Sequence, residues 1–340
     1  MEMNAVACLG PGSLKIIKRV KPELKKGQAI IRVRRVGICG TDIHAFEGTQ
    51  PYFTYPRVLG HELAGELVAA DDAPGFSEGE IVTVLPYWNC GHCIACRKGK
   101  PNCCVELRVC GVHVDGGMTE YFSVPCESLV HGNGLALDEL AMVEPLSIGA
   151  HGVRRAAIAP GEFVLIVGAG PIGLGIMQFC KIAGANVTAM DINDQRLEFA
   201  RRNIGIEHVV NSSRGDAVEQ IKRITNNDMA TGVFDATGSQ RAINAALPYL
   251  AHGGRYVLVG LQKGDISLSH PEFHKRETTL MSRRNAFMED FDFVIACIKA
   301  KKVDTKAFVT HRLLLGNLEH QFNDLIKSRD LVVKAMVNVE

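Results

Sequence analysis

The spacing of apolar residues divides the chain into stretches with different predicted structure. The first 150 residues contain short runs rich in β-branched residues, separated by Gly, Pro and Asp, which is typical of a β-rich domain. The predicted strands of this stretch cover residues 29–36, 65–69, 81–85 and 119–124.

From about residue 162 onward, short apolar strands alternate with segments of helical period. Such alternation predicts a parallel sheet covered by helices on both faces. The predicted strands cover residues 163–167, 187–190, 209–210, 233–234 and 256–259, and the predicted helices cover residues 172–183, 195–203, 217–225 and 241–250. After residue 286 we predict a helix over 289–300 and a final strand over 331–337 that returns to the first domain.

Composition narrows the possible partners. A chain of 340 residues is long enough for two domains, and 46% hydrophobic with 22% charged residues is ordinary for a globular protein. A net charge of +1 supplies no global field for nucleic acid or a membrane. The N-terminus has no signal-peptide pattern, and no apolar stretch reaches the roughly 18 residues of a membrane span. We therefore expect a cytoplasmic protein with no nucleic-acid or membrane partner.

Four closely spaced cysteines predict a structural zinc site, because four thiolates leave no position open for substrate. They are Cys90, Cys93, Cys96 and Cys104. Gly91, Gly99 and Pro101 indicate that this lobe is a loop and not a helix. Disulfides would need an oxidising compartment, and an iron–sulfur cluster usually has another spacing. Cys103 could compete as the last ligand, although the seven-residue gap favours Cys104.

A glycine-rich turn after the strand at 163–167 predicts a dinucleotide site. Glycines permit a tight turn and close approach of a pyrophosphate to a helix N-terminus. The predicted cofactor-binding residues of this turn are Gly168, Gly170, Pro171, Ile172 and Gly173. Asp191 ends the second strand, where a carboxylate can bind the ribose hydroxyls and repel a 2′-phosphate, so NAD is favoured. Arg196, Thr237 and Gly238 complete the predicted set; alone, the same glycines could mark an ordinary turn.

Cys39, His61 and Glu62 form a second set of ligand-capable side chains. A thiolate, an imidazole and a carboxylate from separate segments can bind zinc with one position open. Taken singly, Cys39 could be a core cysteine and His61 with Glu62 a surface pair. Glu144 lies in the apolar run VEPL, where a buried acid is costly unless it is paired or ligated.

Together, these motifs resemble zinc-dependent medium-chain alcohol dehydrogenases over essentially the whole chain. The matching motifs are GICGTDIH, GHE, the four-cysteine lobe, EPLSIGAH and VGAGPIG with its downstream acid. The resemblance implies an α/β fold with a GroES-like β-barrel catalytic domain (1–150, joined by 287–340) and a Rossmann NAD-binding domain (151–286). It implies that Cys39, His61 and Glu62 bind the catalytic zinc, with Glu144 as an alternate ligand or hydrogen-bonded to the zinc water.

The family chemistry assigns roles to residues around these ligands. Zinc lowers the pKa of bound water from about 15.7 to about 7, far more than a side-chain hydrogen bond could achieve. Thr41 and His44 follow Cys39 closely, and in the family such residues relay the proton from substrate through the nicotinamide ribose to solvent. They could instead be a strand-end hydroxyl and a surface imidazole. We expect Asp42 to orient His61.

The EPL run, where many alcohol dehydrogenases have a second cysteine, points to the polyol, threonine and sugar-acid branch. The stretches GTQPYFxYPR, GVHVDGG and PEFHKRETT resemble bacterial hexonate 5-dehydrogenases. That resemblance implies NAD-dependent oxidation of an anionic sugar acid, such as L-galactonate or L-gulonate, at C5. Arginine suits a carboxylate, so residues 50–57 and 274–285 contain candidate anchors, although most surface charges there are simply solvated.

Two alternatives share much of this pattern. A polyol or L-threonine dehydrogenase would have the same zinc and NAD residues. A non-catalytic NAD- or zinc-binding sensor would be expected to lack part of the set, yet all of it is present. For the enzyme we expect two zinc ions per chain, NAD, a small-molecule substrate and a homodimer or homotetramer.

Overall fold

The computed structural model describes all 340 residues and divides into two compact units. The first unit combines Met1–Ser147 with Ala286–Glu340, and the second is Ile148–Asn285. The last segment of the chain therefore packs with the first. No helix has the length and apolar character needed to cross a bilayer.

The elements follow one another along the chain in three groups. Before residue 148 lie β1 (Glu2–Gly10), β2 (Ser13–Val20), β3 (Gln28–Ile38), α1 (Gly40–Phe46), β4 (Arg57–Val58), β5 (Glu62–Ala70), β6 (Ile81–Val84), β7 (Tyr87–Trp88), α2 (Ile94–Arg97), β8 (Arg108–Val109), β9 (Tyr121–Pro125), β10 (Leu129–His131), α3 (Leu137–Ala141) and the start of α4 (Val143–Arg155). The second unit contains β11 (Phe163–Val167), α5 (Pro171–Ile182), β12 (Asn186–Asp191), α6 (Asp194–Phe199), β13 (His208–Asn211), α7 (Ala217–Ile224), β14 (Ala230–Asp235), α8 (Gln240–Ala245), β15 (Leu250–Leu258), α9 (His270–Lys275) and β16 (Thr279–Ser282). The last group is α10 (Met288–Lys299), β17 (Val309–Leu314), α11 (Leu318–Lys327) and β18 (Lys334–Asn338).

Strand β3 organises the first unit. One of its edges pairs with β5 along most of its length, and its other edge pairs with β9 near the start and with β18 near the end. The resulting seven-stranded sheet follows the order β10-β6-β5-β3-β18-β17, with β9 beside β3. The buried faces of its strands, including Ile31, Val33, Leu63 and Val337, supply the core. The ends of β3, β5 and β18 therefore come together.

The second unit is a doubly wound parallel sheet, as predicted. Its strand order is β13-β12-β11-β14-β15-β16, with every neighbouring pair parallel. The order reverses between β11 and β14, where the loops leaving the carboxyl ends diverge and a ligand can enter. Helix α5 is apolar along its length and largely buried, because sheet and helices enclose it.

Three sequence expectations were wrong in detail. The predicted helix over 241–250 ends at Ala245, because Pro248 lacks an N–H and cannot occupy a helix interior. The final strand begins at Lys334 and not at Leu331, which is exposed. The cysteine lobe is not purely a loop, since Cys96 lies on the single-turn helix α2.

Candidate metal and dinucleotide sites

The predicted catalytic ligands meet where β3 ends and β5 begins. Cys39 is the N-cap of α1, directly after β3, and Glu62 is the first residue of β5. In the β3–β5 pairing Gly37 lies opposite Glu62, so the Cys39 segment is carried to the start of β5. The sulfur of Cys39, a ring nitrogen of His61 and a carboxylate oxygen of Glu62 all lie within 4.8 Å of one another.

Asp42 connects the two ligand segments through their backbones. Its Oδ2 accepts a hydrogen bond from the Cys39 amide at 2.9 Å, and its Oδ1 accepts one from the Gly60 amide at 3.3 Å. Asp42 is fully buried, and burial raises its pKa above the ordinary range. The Asp42 carboxylate thus holds Gly60, the residue before His61. That Asp42 orients the His61 ring stays a prediction.

His61 has the environment of a metal ligand. It is buried, and its Nδ1 atom has no hydrogen-bond partner. Burial alone lowers the pKa of His61, but the adjacent Cys39, with Asp42 and Glu144, outweighs burial and leaves that pKa well above its ordinary value. An unpaired buried nitrogen beside a thiol and carboxylates is costly unless a cation binds there.

Lys334 contacts Glu62 from β18. Its Nζ lies 2.6 Å from Oε1 and 2.7 Å from Oε2 of Glu62, and both side chains are buried. Burial lowers the pKa of Lys334, but the charges of Glu62 and Cys39 more than offset this and raise it. Sequence reasoning missed Lys334, although a lone lysine in the apolar run LVVKAMV is a signal of a buried partner.

Glu144 lies on α4 and is buried. It accepts a hydrogen bond from the hydroxyl of Tyr87, another residue that the sequence did not indicate. Burial raises the pKa of Glu144, while His61 and the Tyr87 bond act in the opposite direction. Its role beside the metal ligands stays a prediction.

The relay candidates lie on α1. Thr41 is partly buried and His44 is exposed. The Nδ1 atom of His44 lies 2.9 Å from the hydroxyl oxygen of Thr49 and 3.7 Å from a carboxylate oxygen of Glu47. The imidazole is thereby positioned on the solvent side of the helix, and its part in proton transfer stays a prediction.

The sulfurs of Cys90, Cys93, Cys96 and Cys104 all lie within 4.8 Å of one another. Backbone amides point at them: the Cys90 amide donates to the Cys104 sulfur at 3.2 Å, and the Cys93 amide to the Cys90 sulfur at 3.4 Å. Amide donors from Cys96 and Val105 help lower the pKa of Cys93 to about 6. Four converging sulfurs with amide donors suit a tetrahedral zinc, and Cys103 is exposed outside this group.

The glycine-rich turn opens the dinucleotide site. Gly168 has φ +101°, and a Cβ there would lie 3.1 Å from the backbone of Thr237. A Cβ at Gly173 would lie 1.8 Å from the Gly168 carbonyl oxygen, so only glycine allows the helix to pack so closely. Gly170 is the N-cap of α5, faces open space and is followed by Pro171. This cradle before a twelve-residue helix fits a pyrophosphate.

Asp191 ends β12 and contacts the same turn. Its Oδ2 accepts from the Ala169 amide at 2.7 Å, and its Oδ1 accepts from the Asn193 amide at 2.9 Å. Arg196 lies on the next helix, whose N-terminus Asn193 caps. The carboxylate therefore supports the glycine-rich turn, and its binding of the adenosine ribose stays a prediction.

Thr237 and Gly238 follow β14 and are held by Asp235, which the sequence analysis did not single out. The buried carboxylate accepts from the Thr237 hydroxyl at 2.5 Å and from the Gly238 amide at 3.2 Å. Burial raises the pKa of Asp235. The structure thus brings Thr237 next to Gly168, while the predicted contacts with NAD stay predictions.

Two family models match the chain. Residues 25–133 match the alcohol dehydrogenase GroES-like domain, and residues 171–300 match the zinc-binding dehydrogenase model. The chain is 42% identical over 332 residues to L-galactonate-5-dehydrogenase of Escherichia coli K12, with 97% of each chain covered. It is 30% identical to sorbitol dehydrogenase of Bacillus subtilis, covering 99% of this chain and 97% of the other.

Among solved structures, RspB from E. coli CFT073, described as complexed with NADH, has a TM-score of 0.90 and 30% identity, with 99% of each chain covered. Fold and site therefore define an oxidoreductase whose cofactors are zinc and a nicotinamide dinucleotide. The chain belongs to the zinc-binding alcohol dehydrogenase family, with a GroES-like domain and a Rossmann domain. The predicted family and fold class are confirmed.

Proposed function

We propose that this enzyme oxidises a secondary alcohol of a hexonate, such as L-galactonate or L-gulonate, at C5 and passes the hydride to NAD. The observation that carries the reaction class is the group of partly buried Cys39 with buried His61 and Glu62, whose three different donors suit an open zinc site. The substrate class rests on 42% identity to an L-galactonate-5-dehydrogenase over nearly the whole chain.

In this proposal the chain's own residues hold the metal and move the proton. Cys39, His61 and Glu62 bind a zinc ion that, when present, supplies the Lewis acidity for losing the alcohol proton. Thr41 would accept the substrate proton as it passes its own hydroxyl proton on along the relay, and His44 would release a proton to solvent. Glu144 lies close enough to influence the charge of His61, which supports a place beside the reacting group.

In this proposal the hydride acceptor, NAD, binds to the second unit, Ile148–Asn285. We propose that the Gly168–Gly173 turn and the N-terminus of α5 hold the pyrophosphate, with Thr237 and Gly238 nearby. Asp191 would bind the ribose hydroxyls and disfavour NADP.

The substrate carboxylate requires a cationic or amide anchor. Two of the candidates are already engaged: Arg57 donates to Thr54 at 3.0 Å and faces Asp115 at 3.5 Å, and Arg276 donates to the Leu250 carbonyl at 2.7 Å. Arg283 and Arg284, which also have interactions within the protein, are further candidates in residues 274–285.

A polyol dehydrogenase is the second candidate, supported by the similarity to a sorbitol dehydrogenase. A screen of aldonates, polyols and amino alcohols, including L-threonine, with NADH formation as the readout, tests both. Turnover confined to hexonates would support the proposal. Preference for sorbitol or threonine would replace it, and zinc-loaded enzyme inactive on the whole panel would favour a sensor.

We also propose that the protein is a homodimer or homotetramer and that the two units are separate domains. Light scattering after size-exclusion chromatography tests the first proposal. A monomer across the working concentration range would refute it.

A further inference from the structure

Lys334 is the buried cation of the metal-ligand cluster, and nothing in the reaction proposed above uses it. It is 3% exposed and lies at the start of β18. Besides the two oxygens of Glu62, its Nζ contacts the carbonyl oxygen of Ile38 at 3.2 Å. An ammonium has three donors, and here each finds an acceptor. Ile38 directly precedes Cys39, so Lys334 contacts both ligand segments.

The neighbouring backbone is shaped for this contact. Gly37 pairs with Glu62 on one side and with Met336 of β18 on the other. A Cβ at Gly37 would lie 1.9 Å from Oε2 of Glu62. Any side chain at this position would therefore displace the carboxylate. Glycine leaves the space in which Glu62 turns toward Lys334.

The balance of charge around the ligands explains how the contact between Lys334 and Glu62 can affect zinc binding. When ionised, Cys39, Glu62 and Glu144 place three negative charges in one buried region. A zinc dication and the Lys334 ammonium together balance these three charges, while the neighbouring buried Asp42 carboxylate accepts hydrogen bonds from the Cys39 and Gly60 amides. Both oxygens of Glu62 already accept hydrogen bonds from Lys334, so a metal must share this carboxylate with a cation that repels it.

We propose that Lys334 is a positioning residue that shares the Glu62 carboxylate with the catalytic zinc and so keeps Glu62 a weak, exchangeable ligand. The inference rests on the proposed assignment of Cys39, His61 and Glu62 as ligands. The direction in which zinc binding changes on loss of Lys334 distinguishes this role from simple support of a ligand. Losing a partner that merely supports a ligand weakens metal binding, commonly 10- to 100-fold, whereas removing a competing cation strengthens it.

The test measures release of zinc from the zinc-loaded full-length enzyme to a chromophoric chelator. A Cys39→Ser variant identifies which phase of release belongs to the catalytic ion. In Lys334→Met we expect this phase to slow about tenfold, with the lobe phase unchanged and kcat lowered. Lys334→Arg retains the charge and should restore the wild-type release rate. If Lys334→Met does not fold, Lys334→Gln, which keeps a hydrogen-bonding group without the charge, should show the same slowing.

The matched control is Arg255→Met, which breaks a partly buried ion pair with Glu162 in the other unit. It should cost stability and leave both release phases unchanged. Release from Lys334→Met or Lys334→Gln that is as fast as, or faster than, wild type would overturn the inference. A Cys39→Ser variant that still holds two ions would instead refute the ligand assignment on which the inference rests.

Discussion

At the scale of single residues, buried charge dominates the region where β3 and β5 meet. Asp42, Glu62 and Glu144 are all buried within one unit, and Lys334 compensates only part of their charge. Burying uncompensated carboxylates is expensive, so the arrangement is reasonable when a metal ion supplies the remaining positive charge.

Replacing a proposed ligand should separate chemistry from cofactor binding. In Cys39→Ser and in His61→Ala we expect turnover to fall to background, because the metal loses a donor, while NAD affinity changes less than about threefold. Steady-state NADH formation and calorimetric NAD binding provide the two readouts. Cys126→Ser, a cysteine outside both clusters, is the control and should keep wild-type activity. Full activity in either ligand variant would remove this site from the reaction.

Asp191 should determine the choice of cofactor. At an effective dielectric of about 20 and a separation of about 4 Å, its repulsion of a 2′-phosphate is about 4 kcal/mol, a preference of several hundred-fold for NAD. Asp191→Ser should weaken NAD and admit NADP, but it also removes acceptors for the Ala169 and Asn193 amides. Asp191→Asn removes the charge and retains one acceptor oxygen, which separates the two effects. The measurement is kcat/KM with each cofactor, and a wild-type preference for NADP would contradict this role.

Local motifs made some site residues predictable and left others hidden. Cys39, His61 and Glu62 carry ligand chemistry within short runs, so the sequence alone indicated a cluster. Lys334 lies 272 residues from Glu62, and only the pairing of β18 with β3 brings them together. Tyr87 is hidden for the same reason, because no local pattern indicates a long-range partner.

At the scale of elements, we expect the cysteine lobe to depend on a bound ion, because most residues of 90–104 are exposed or only partly buried. Cys93→Ser should lower the zinc content by about one ion per chain and destabilise the lobe, since ion binding contributes directly to folding. Elemental analysis and thermal unfolding measure this. Cys103→Ser should leave the zinc content unchanged because Cys103 is exposed outside the cluster. An unaltered metal content in Cys93→Ser would show that Cys93 is not a ligand.

Helix α3 is attached to the sheet by ion pairs of Asp138. Arg312 of β17 and Arg35 of β3 both donate to its carboxylate, the latter at 2.8 Å, and the Arg312 bond is the largest cause of its lowered pKa. A lowered folded-state pKa stabilises the protein above the unfolded pKa of about 3.9, and this stability is lost as pH falls through the folded value.

Asp138→Asn should therefore cost about 1 kcal/mol of unfolding free energy near neutral pH, and less as the pH falls below about 4. Urea unfolding across this pH range measures the difference. Asp324→Asn, which breaks the exposed pair with Lys327, should have no measurable effect. A cost for Asp138→Asn that stays constant down to about pH 3 would contradict the ion-pair explanation.

Element boundaries were predictable where the spacing of the apolar residues and the positions of Gly and Pro indicated the same limits. Strand β11 and helix α5 lie almost where the pattern placed them, because a buried apolar run is followed by the glycine turn. The N-terminal hairpin of β1 and β2 was missed, since exposed Lys15, Lys18 and Arg19 interrupt the apolar pattern of β2. Helix α8 was predicted too long because its apolar residues continue past Pro248.

At the scale of the whole molecule, the metal ligands lie in one compact unit and the glycine-rich turn in the other. Each unit contains its own sheet and core, so either site can be disabled by substitution without dismantling the other. The alternation of strands and helices made this organisation visible in the sequence. The choice of substrate was not visible in that way, because it depends on a few side chains and not on the fold.

The most direct test compares L-galactonate with galactitol, the polyol in which a hydroxymethyl group replaces the carboxylate. Zinc-loaded enzyme is assayed with NAD, and kcat/KM is determined for both substrates. We expect L-galactonate to be preferred about 100-fold or more, the contribution of a buried charge-assisted contact of about 3 kcal/mol. Equal values, or a preference for galactitol, would contradict the assignment of this enzyme to hexonates.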